Sequence, residues 1–339
     1  DLQQWLQGVT LAKQGRLSQA VGHFERAVRL SPGVPLYWLN LASTQRKLHR
    51  MEQAIDSARR AFELDPAHDT ACHLLAELLR MSNRDAESLQ ALDALDPATP
   101  RNLQHNLLKG AVLMSLARWQ DAALVFLQVL AEKPADTEAY MQLGFALSYL
   151  KRFGEAAECF RTVTILEPAE FGAAVYAAHY AAWACDWQQG PEDIERLARA
   201  LAMQQPDGET PAFSPFCVLS MNDDALMHRA VAAMEARRIA TSVRASSRRA
   251  VATSWPNAAQ AVAAGRIRIG FVSADFRTHA TSILLVQTLE RLPRDRFEVF
   301  LYSHGEDDGT ALRRRMQAAA DHFVDCSRMP TEEQTARIH

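Results

Sequence analysis

The sequence predicts a multidomain protein in which an all-α repeat superhelix is followed by the start of an α/β domain. Two observations carry this prediction. Five prolines recur at a constant step of 34 residues in the first half of the chain, and from Arg266 onward short apolar runs alternate with helical stretches. The length of 339 residues also exceeds that of one ordinary domain.

Composition excludes several classes of protein. Hydrophobic residues make up 48% and charged residues 23%, which is typical of a globular protein. The net charge of -3 leaves no basic footprint for nucleic acid, and no apolar run approaches the roughly 20 residues that span a bilayer. We therefore expect no nucleic acid and no membrane as partner. The absence of a leader-like start predicts a cytoplasmic location, and the five scattered cysteines show no metal-ligand spacing.

The first 168 residues follow one period. The recurring prolines are Pro32, Pro66, Pro100, Pro134 and Pro168, and a step of 34 is the period of tetratricopeptide repeats. Each proline follows the second helix of a helical pair, which its fixed φ and missing N–H terminate. The sequence therefore predicts five tetratricopeptide repeats over residues 1–168.

Two further columns keep the same register and contain small residues. They are Gly8, Ala42, Ala76, Gly110 and Gly144, and Ala20, Ala54, Ser88, Ala122 and Ala156. Larger residues would push apart two helices that cross closely. A third column is mostly large and apolar, and it consists of Phe24, Ala58, Leu92, Phe126 and Phe160. Stacked repeats of this kind form a concave face that usually holds extended peptides, so we expect acceptor proteins or peptides as partners there.

A connector separates the repeats from the α/β region. Residues 169–204 read as a modified sixth repeat, with an apolar helix over 171–183 and an amphipathic one over 192–204. Residues 205–264 form the connector itself. Its first part, 205–224, contains three prolines and no periodicity, which predicts a loop, and a long helix follows over 225–252.

Residues 265–339 predict the start of a doubly wound sheet. A buried strand is expected over 267–272, then a helix over 281–292, a strand over 297–303, a helix over 309–320 and a short strand over 322–325. This βαβαβ order predicts a parallel sheet whose ligands gather at the carboxyl ends of the strands. The loop after the first strand is therefore the first place to look for a site.

That loop, residues 273–282, contains no GxGxxG, so it is not a dinucleotide fingerprint. It does contain His279, just ahead of a helix N-terminus. The positive end of the helix dipole disfavours an imidazolium ion there. A neutral His279 could accept a proton or a hydrogen bond from a hydroxyl, or it could simply cap the following helix.

The residues 270–282, GFVSADFRTHATS, resemble the loop that opens the catalytic domain of protein O-GlcNAc transferases. Segments 297–302, 307–310, 322–325 and 337–339 resemble later family segments in the same order. The resemblance implies a GT-B glycosyltransferase that moves GlcNAc from UDP-GlcNAc to Ser or Thr of proteins, without a metal or cofactor. It makes His279 the active-site histidine, as general base or in contact with acceptor or phosphate, with Thr281 and Ser282 as substrate-binding residues.

The repeats carry part of the same resemblance. The stretch Trp38-Leu39-Asn40-Leu41-Ala42 resembles helices on which this family binds the acceptor backbone through asparagines. Asn40 and Gln142 could each offer an amide, although Asn40 is equally an ordinary solvated helix residue. The residues 185–187 and 211–216 resemble the family's junction with the catalytic domain, where Trp187 is expected to pack the joint.

The loop also departs from the family at Arg277 and Ala280, where the family often has Gly and Pro, and at Ile283, where some members carry a second His. By resemblance the uridine diphosphate site lies beyond His339, so the fragment is expected to lack a donor site and to be inactive alone. Two alternatives remain: a SPINDLY-type protein O-fucosyltransferase that uses GDP-fucose, and a non-catalytic repeat scaffold.

Overall fold

The computed structural model describes residues 1–95, 102–204, 215–246, 265–327, 329 and 331–338. It divides into two compact units, Asp1–Ile239 and Ala240–His339. The boundary between them falls inside the predicted connector. Each unit has a hydrophobic core of its own.

The first unit is a stack of antiparallel helix pairs. The helices are α1 (Leu2–Lys13), α2 (Leu17–Leu30), α3 (Pro35–Lys47), α4 (Met51–Leu64), α5 (Asp69–Met81), α6 (Asp85–Asp93), α7 (Leu103–Ser115), α8 (Trp119–Glu132), α9 (Thr137–Tyr149) and α10 (Phe153–Leu166). A further pair follows, α11 (Phe171–Trp183) and α12 (Gly190–Met203). The predicted all-α repeat fold is confirmed, and the prolines lie directly after α2, α4, α8 and α10, with Pro100 outside the described residues.

Residue volume sets how closely the two helices of a repeat approach. The second small column is fully buried at all five positions. Where the first column has glycine, the facing residue sixteen positions later is phenylalanine, so a Cβ on Gly144 would lie 2.6 Å from Cζ of Phe160. Where the first column has alanine, the facing residue is the smaller Ala58 or Leu92. A phenylalanine ring therefore lies at the crossing only where the facing residue has no Cβ.

A buried ion pair joins the fifth helix pair to the sixth. The guanidinium of Arg161 on α10 donates to both carboxylate oxygens of Asp193 on α12 at 2.7–3.1 Å, and to Asp186 at 2.9 Å. Arg161 is 4% exposed and Asp193 is fully buried. Burial alone would lower the pKa of Arg161, but hydrogen bonds to Asp193 and Asp186 hold that pKa above its usual value.

Trp187 is 72% exposed, and the ion pair of Arg161 lies between α10 and α12. That Trp187 packs the junction with the catalytic domain stays a prediction, because residues 205–214 of that junction lie outside the described residues. The predicted loop over 205–224 needs correction, since it contains a short helix, α13 (Pro215–Leu219). Val218 of that helix is fully buried and packs with Leu197 of α12 and Val231 of α14 (Ala225–Ser246). Apolar contacts override the turn composition here.

The second unit contains a three-stranded sheet that is parallel, as predicted, and has the strand order β1-β2-β3. Its elements are β1 (Ile267–Ser273), α15 (Ala280–Arg291), β2 (Phe297–Ser303), α16 (Ala311–Ala318), β3 (His322–Asp325) and α17 (Thr331–Ile338). The register pairs Gly270 with Phe300 and Phe300 with His322. The carboxyl ends of all three strands therefore lie at one edge of the sheet.

One face of the sheet carries the core of this unit. Val299 and Leu301 of β2 pack there against Val286 of α15 and Met316 of α16. β1 was predicted as a buried strand, but its burial alternates and Val272 is 53% exposed. Burial of both faces requires a layer of helices on each side, and α15 and α16 cover one side only in the described part of this unit.

The guanidinium of Arg313, on α16, connects the carboxyl ends of the strands. It donates at 3.1 Å each to the carbonyl of Phe276, to Oγ of Ser303 and to Oδ2 of Asp325. Its Nε lies 3.1 Å from Oδ1 of Asp307, an ion pair that lacks hydrogen-bond geometry. Arg313 is 1% exposed, so these contacts replace its hydration.

The first prediction concerns the helix crossing. Replacement of Gly144 by Leu should lower the free energy of unfolding by about 1–3 kcal/mol, because the side chain would overlap the buried ring of Phe160. The matched control is Gly22→Leu, where no atom lies within 4 Å of the Cβ position. That control should be neutral or stabilising, and urea unfolding followed by circular dichroism compares the two. Equal losses would show that the crossing does not require glycine.

The second prediction concerns the buried cation. Arg313→Met should destabilise the C-terminal unit by about 2–4 kcal/mol, because the Phe276 carbonyl and the Ser303 hydroxyl lose a buried donor. The control is Arg315→Met on the same helix, which removes an exposed pair with Glu290 and should leave the protection of β2 close to that of the unmodified chain. Hydrogen exchange of the β2 amides measures both. A protected β2 in the Arg313 variant would contradict the prediction.

Candidate functional site

The candidate site lies at the edge of the sheet where the three parallel strands end. The loop after β1, residues 274–279, leads into α15, and the loop after β2, residues 304–310, leads into α16. The carboxyl ends of parallel strands lie at one edge of the sheet, so the two loops that follow these strands lie side by side. The first of them is called the His279 loop below, and the second the β2 loop.

His279 is the N-cap residue of α15. Its Nδ1 accepts a hydrogen bond from the backbone N–H of Thr281 at 3.2 Å, and the Thr281 hydroxyl oxygen lies 3.1 Å from the same nitrogen. The backbone of His279 is extended, which is the usual geometry of a residue that caps a helix. The capping alternative from the sequence is thus seen in the structure. The imidazole is still 45% exposed, so capping leaves the ring accessible to a ligand.

The hydrogen bond that caps α15 determines which ring nitrogen of His279 is free to contact a ligand. Because Nδ1 accepts an N–H, its lone pair is in use, and a neutral ring then carries its proton on Nε2. The nitrogen left for a ligand is therefore a hydrogen-bond donor. Oδ2 of Asp275 lies 3.6 Å from Nδ1, beyond hydrogen-bond range, and would pair with the ring only if His279 were protonated.

Thr281 and Ser282 differ in their surroundings. Thr281 is exposed beside the imidazole and can reach a bound molecule. Ser282 is fully buried, and its hydroxyl donates to the carbonyl of Asp275 at 2.6 Å. The predicted substrate contact of Ser282 would require this bond to break, so the geometry favours a role in shaping the His279 loop.

A cleft of about 670 Å³ opens at the same edge of the sheet. The described residues that line it are Glu306, Asp307, Asp325, Ser327, Met329 and Glu333. Four of these six carry carboxylates, so the described part of the lining is acidic. Sequence reasoning missed this cleft and the buried Arg313 behind it. The only sequence signal was the resemblance over residues 307–310 and 322–325, which carried no information about burial.

The two candidate amides of the repeats lie far apart in sequence, on α3 and α9. The side-chain amide of Asn40 donates to the carbonyl of Leu36 on its own helix at 2.9 Å. This contact matches the ordinary-helix-residue alternative. Gln142 is half-buried on α9. Neither residue is part of the sheet-edge site, and both stay predictions as peptide contacts.

Among the described residues, none of the helices combines the length and the apolar composition that a membrane span requires. Within the same residues, no group of three or more His, Cys, Asp or Glu side chains is placed to hold a metal ion.

Comparison with known proteins matches both halves of the chain. Residues 184–339 match the family described as Glycosyl transferase family 41, and residues 36–68 and 137–170 match the tetratricopeptide repeat. A solved tetratricopeptide repeat protein from Parabacteroides merdae shares the fold, with a TM-score of 0.50 and 15% identity over 69% of this chain and 98% of that one.

Two curated relatives match shorter segments. The UDP-N-acetylglucosamine–peptide N-acetylglucosaminyltransferase of Caenorhabditis elegans is 41% identical over 71 residues, which is 21% of this chain and 6% of that protein. The probable enzyme of the same name, SEC, of Arabidopsis thaliana is 40% identical over 67 residues, or 20% and 7%. Each match thus spans a small part of the relative. The chain is thus similar to tetratricopeptide repeats in its first half and to glycosyl transferase family 41 from residue 184 onward.

Proposed function

We propose that this chain is the acceptor-facing part of a protein glycosyltransferase that moves N-acetylglucosamine from UDP-GlcNAc to Ser or Thr hydroxyls. The observation that carries the proposal is the position of His279, exposed at the carboxyl edge of a parallel sheet inside the family 41 region. The curated names of the two relatives support the donor sugar. Ligands of such sheets bind at this edge.

The repeats supply the second part of the proposal. Acceptor proteins lie along the first helices of the helix pairs, with Asn40 and Gln142 as candidate contacts to their backbone. Asn40 can serve an acceptor through its carbonyl oxygen while its amide stays bonded to Leu36, or by exchanging that bond. The exposed helix surfaces of the array provide the area that an extended peptide needs.

His279 acts in this proposal as a hydrogen-bond donor through Nε2. A general base at Nε2 would need the opposite tautomer, with the proton on Nδ1, and the cap to the Thr281 N–H would then be lost. A donor suits an oxygen that carries or develops negative charge, such as a phosphate or the acceptor oxygen. The N-terminus of α15 favours negative charge at the same place.

The donor site belongs elsewhere in this proposal. Four carboxylates are among the described residues that line the cleft at the sheet edge, and these would repel a nucleotide diphosphate. The resemblance assigns uridine diphosphate to residues beyond His339. We therefore propose that residues 1–339 do not bind UDP-GlcNAc by themselves, and isothermal titration of the chain with UDP-GlcNAc tests this point.

The third prediction concerns His279 in the gene product, assayed with a protein acceptor and labelled UDP-GlcNAc. His279→Ala should lower the rate of transfer by about 10²-fold or more, because a preorganised donor is lost. His279→Gln should keep part of the activity, since its amide can donate near the position of Nε2 but takes no proton at pH 7. His322→Ala, at the opposite edge of the sheet, is the control and should keep full activity.

Four outcomes separate the alternative interpretations. Transfer from GDP-fucose instead of UDP-GlcNAc would support the SPINDLY-type alternative, and transfer from neither sugar would leave the repeat scaffold. If His279→Gln were as inactive as His279→Ala, the donor role would give way to that of a general base. Full activity of His279→Ala would remove His279 from the mechanism.

A further inference from the structure

The His279 loop packs directly on the β2 loop. The backbone N–H of His304 donates to the carbonyl of Ser273 at 3.0 Å, where β1 ends. Gly305 lies so close to the backbone of Ala274 that a Cβ at position 305 would overlap the Ala274 carbonyl. The β2 loop therefore acts as a surface against which the His279 loop is fitted.

Three side-chain hydrogen bonds fasten the His279 loop along its length. The Ser282 hydroxyl holds the carbonyl of Asp275, and the Arg313 guanidinium holds the carbonyl of Phe276. The third bond runs from the backbone N–H of Thr278 to Oδ2 of Asp308, at 2.7 Å. Thr278 directly precedes His279, so this third bond is the one closest to the imidazole.

Asp308 is itself held in place from the other side. Its Oδ1 accepts the hydroxyl of Thr310 at 2.8 Å and the backbone N–H of the same residue at 3.2 Å. The N–H of Thr278, followed by the bonds from Thr310, keeps the pKa of Asp308 well below its usual range. A carboxylate with so many donors is a weak base, so Asp308 contributes through its position and not as a proton acceptor.

We propose that Asp308 is a positioning residue for His279. By binding the Thr278 N–H, Asp308 fixes the orientation of the imidazole, so that Nδ1 caps α15 and Nε2–H faces the ligand. This inference rests on the proposed function for the role of His279 in the reaction. The placement of the ring depends only on the contacts of the loop. Without the bond, residues 277 and 278 can rotate, and the extended backbone that places the imidazole over the Thr281 N–H is no longer imposed.

The control for this proposal lies two residues away. Glu306 is an exposed carboxylate of the same β2 loop that lines the cleft and makes no recorded hydrogen bond among the described side chains. Glu306→Gln therefore removes the same charge from the same loop without touching Thr278. Asp308→Ala removes both oxygens, whereas Asp308→Asn keeps one oxygen and gives an intermediate change.

The fourth prediction is measured on the whole chain, without an activity assay. Exchange of the Thr278 amide should accelerate by about tenfold or more in Asp308→Ala, because a charge-assisted hydrogen bond is lost, and less than about twofold in Glu306→Gln. ¹⁵N NMR of labelled histidine, assigned with His279→Gln, should show the proton on Nε2 in the unmodified chain. In Asp308→Ala the ring should become a mixture of tautomers.

Several results would overturn the proposal. The proposal is wrong if Asp308→Ala changes neither the exchange of the Thr278 amide nor the tautomer of His279. It is also wrong if Glu306→Gln changes both as much as Asp308→Ala does. If Asp308→Ala loses protection of the β2 amides and so unfolds the unit, Asp308→Asn decides the matter by the same two measurements.

In the transfer assay Asp308→Asn should lower kcat with little change in the KM for acceptor. If the unmodified gene product transferred no sugar, only the proposed function would be contradicted. The positioning role of Asp308 would remain, because the NMR result does not depend on activity.

Discussion

The buried guanidinium of Arg313 is the interaction on which the arrangement of the C-terminal unit depends. A cation removed from water needs hydrogen-bond acceptors, and the Nη1 and Nη2 groups of Arg313 find them at the ends of two strands and in the His279 loop. The Phe323 ring, 5.2 Å from the guanidinium carbon, adds a cation–π contact from β3. The three strands therefore cannot shift independently. The consequence reaches His279, whose loop is tied to the same cation through the carbonyl of Phe276.

In the repeat unit the corresponding constraint is volume. A glycine in one helix is matched by a phenylalanine ring in its partner, and an alanine by a smaller residue, so that no Cβ overlaps a ring at the crossing. The sixth pair replaces part of this apolar packing by the buried ion pair of Arg161 with Asp193. Such a pair specifies geometry more than it adds stability, because desolvation offsets much of the attraction.

The two ring nitrogens of His279 divide its structural and chemical roles. Nδ1 completes the helix that starts at Ala280, and Nε2 is left for a substrate. This division explains how a residue can be both a helix cap and a site residue, which the sequence presented as alternatives. It also links the chemistry to the local structure, because any change that frees the helix end changes the tautomer.

The sequence by itself determined the repeat fold, the order of strands and helices after Arg266, and the edge of the sheet at which to look for a site. These features follow from period, spacing and chain direction, which are local or cumulative properties. The strand and helix bounds in the C-terminal unit agree within a few residues for the same reason. His279 could be singled out because its position after a strand needs no knowledge of its neighbours.

Tertiary structure decided what each side chain meets. It buried Arg313 and Ser282, exposed Trp187, formed the acidic cleft and placed Asp308 under the His279 loop. None of these outcomes could be read from residue type, because burial depends on which distant segments cover a position. An arginine is usually exposed and a tryptophan usually buried. Here the convergence of strand ends supplied enough acceptors to bury the arginine, whereas α10 and α12 joined through an ion pair and left the tryptophan in water.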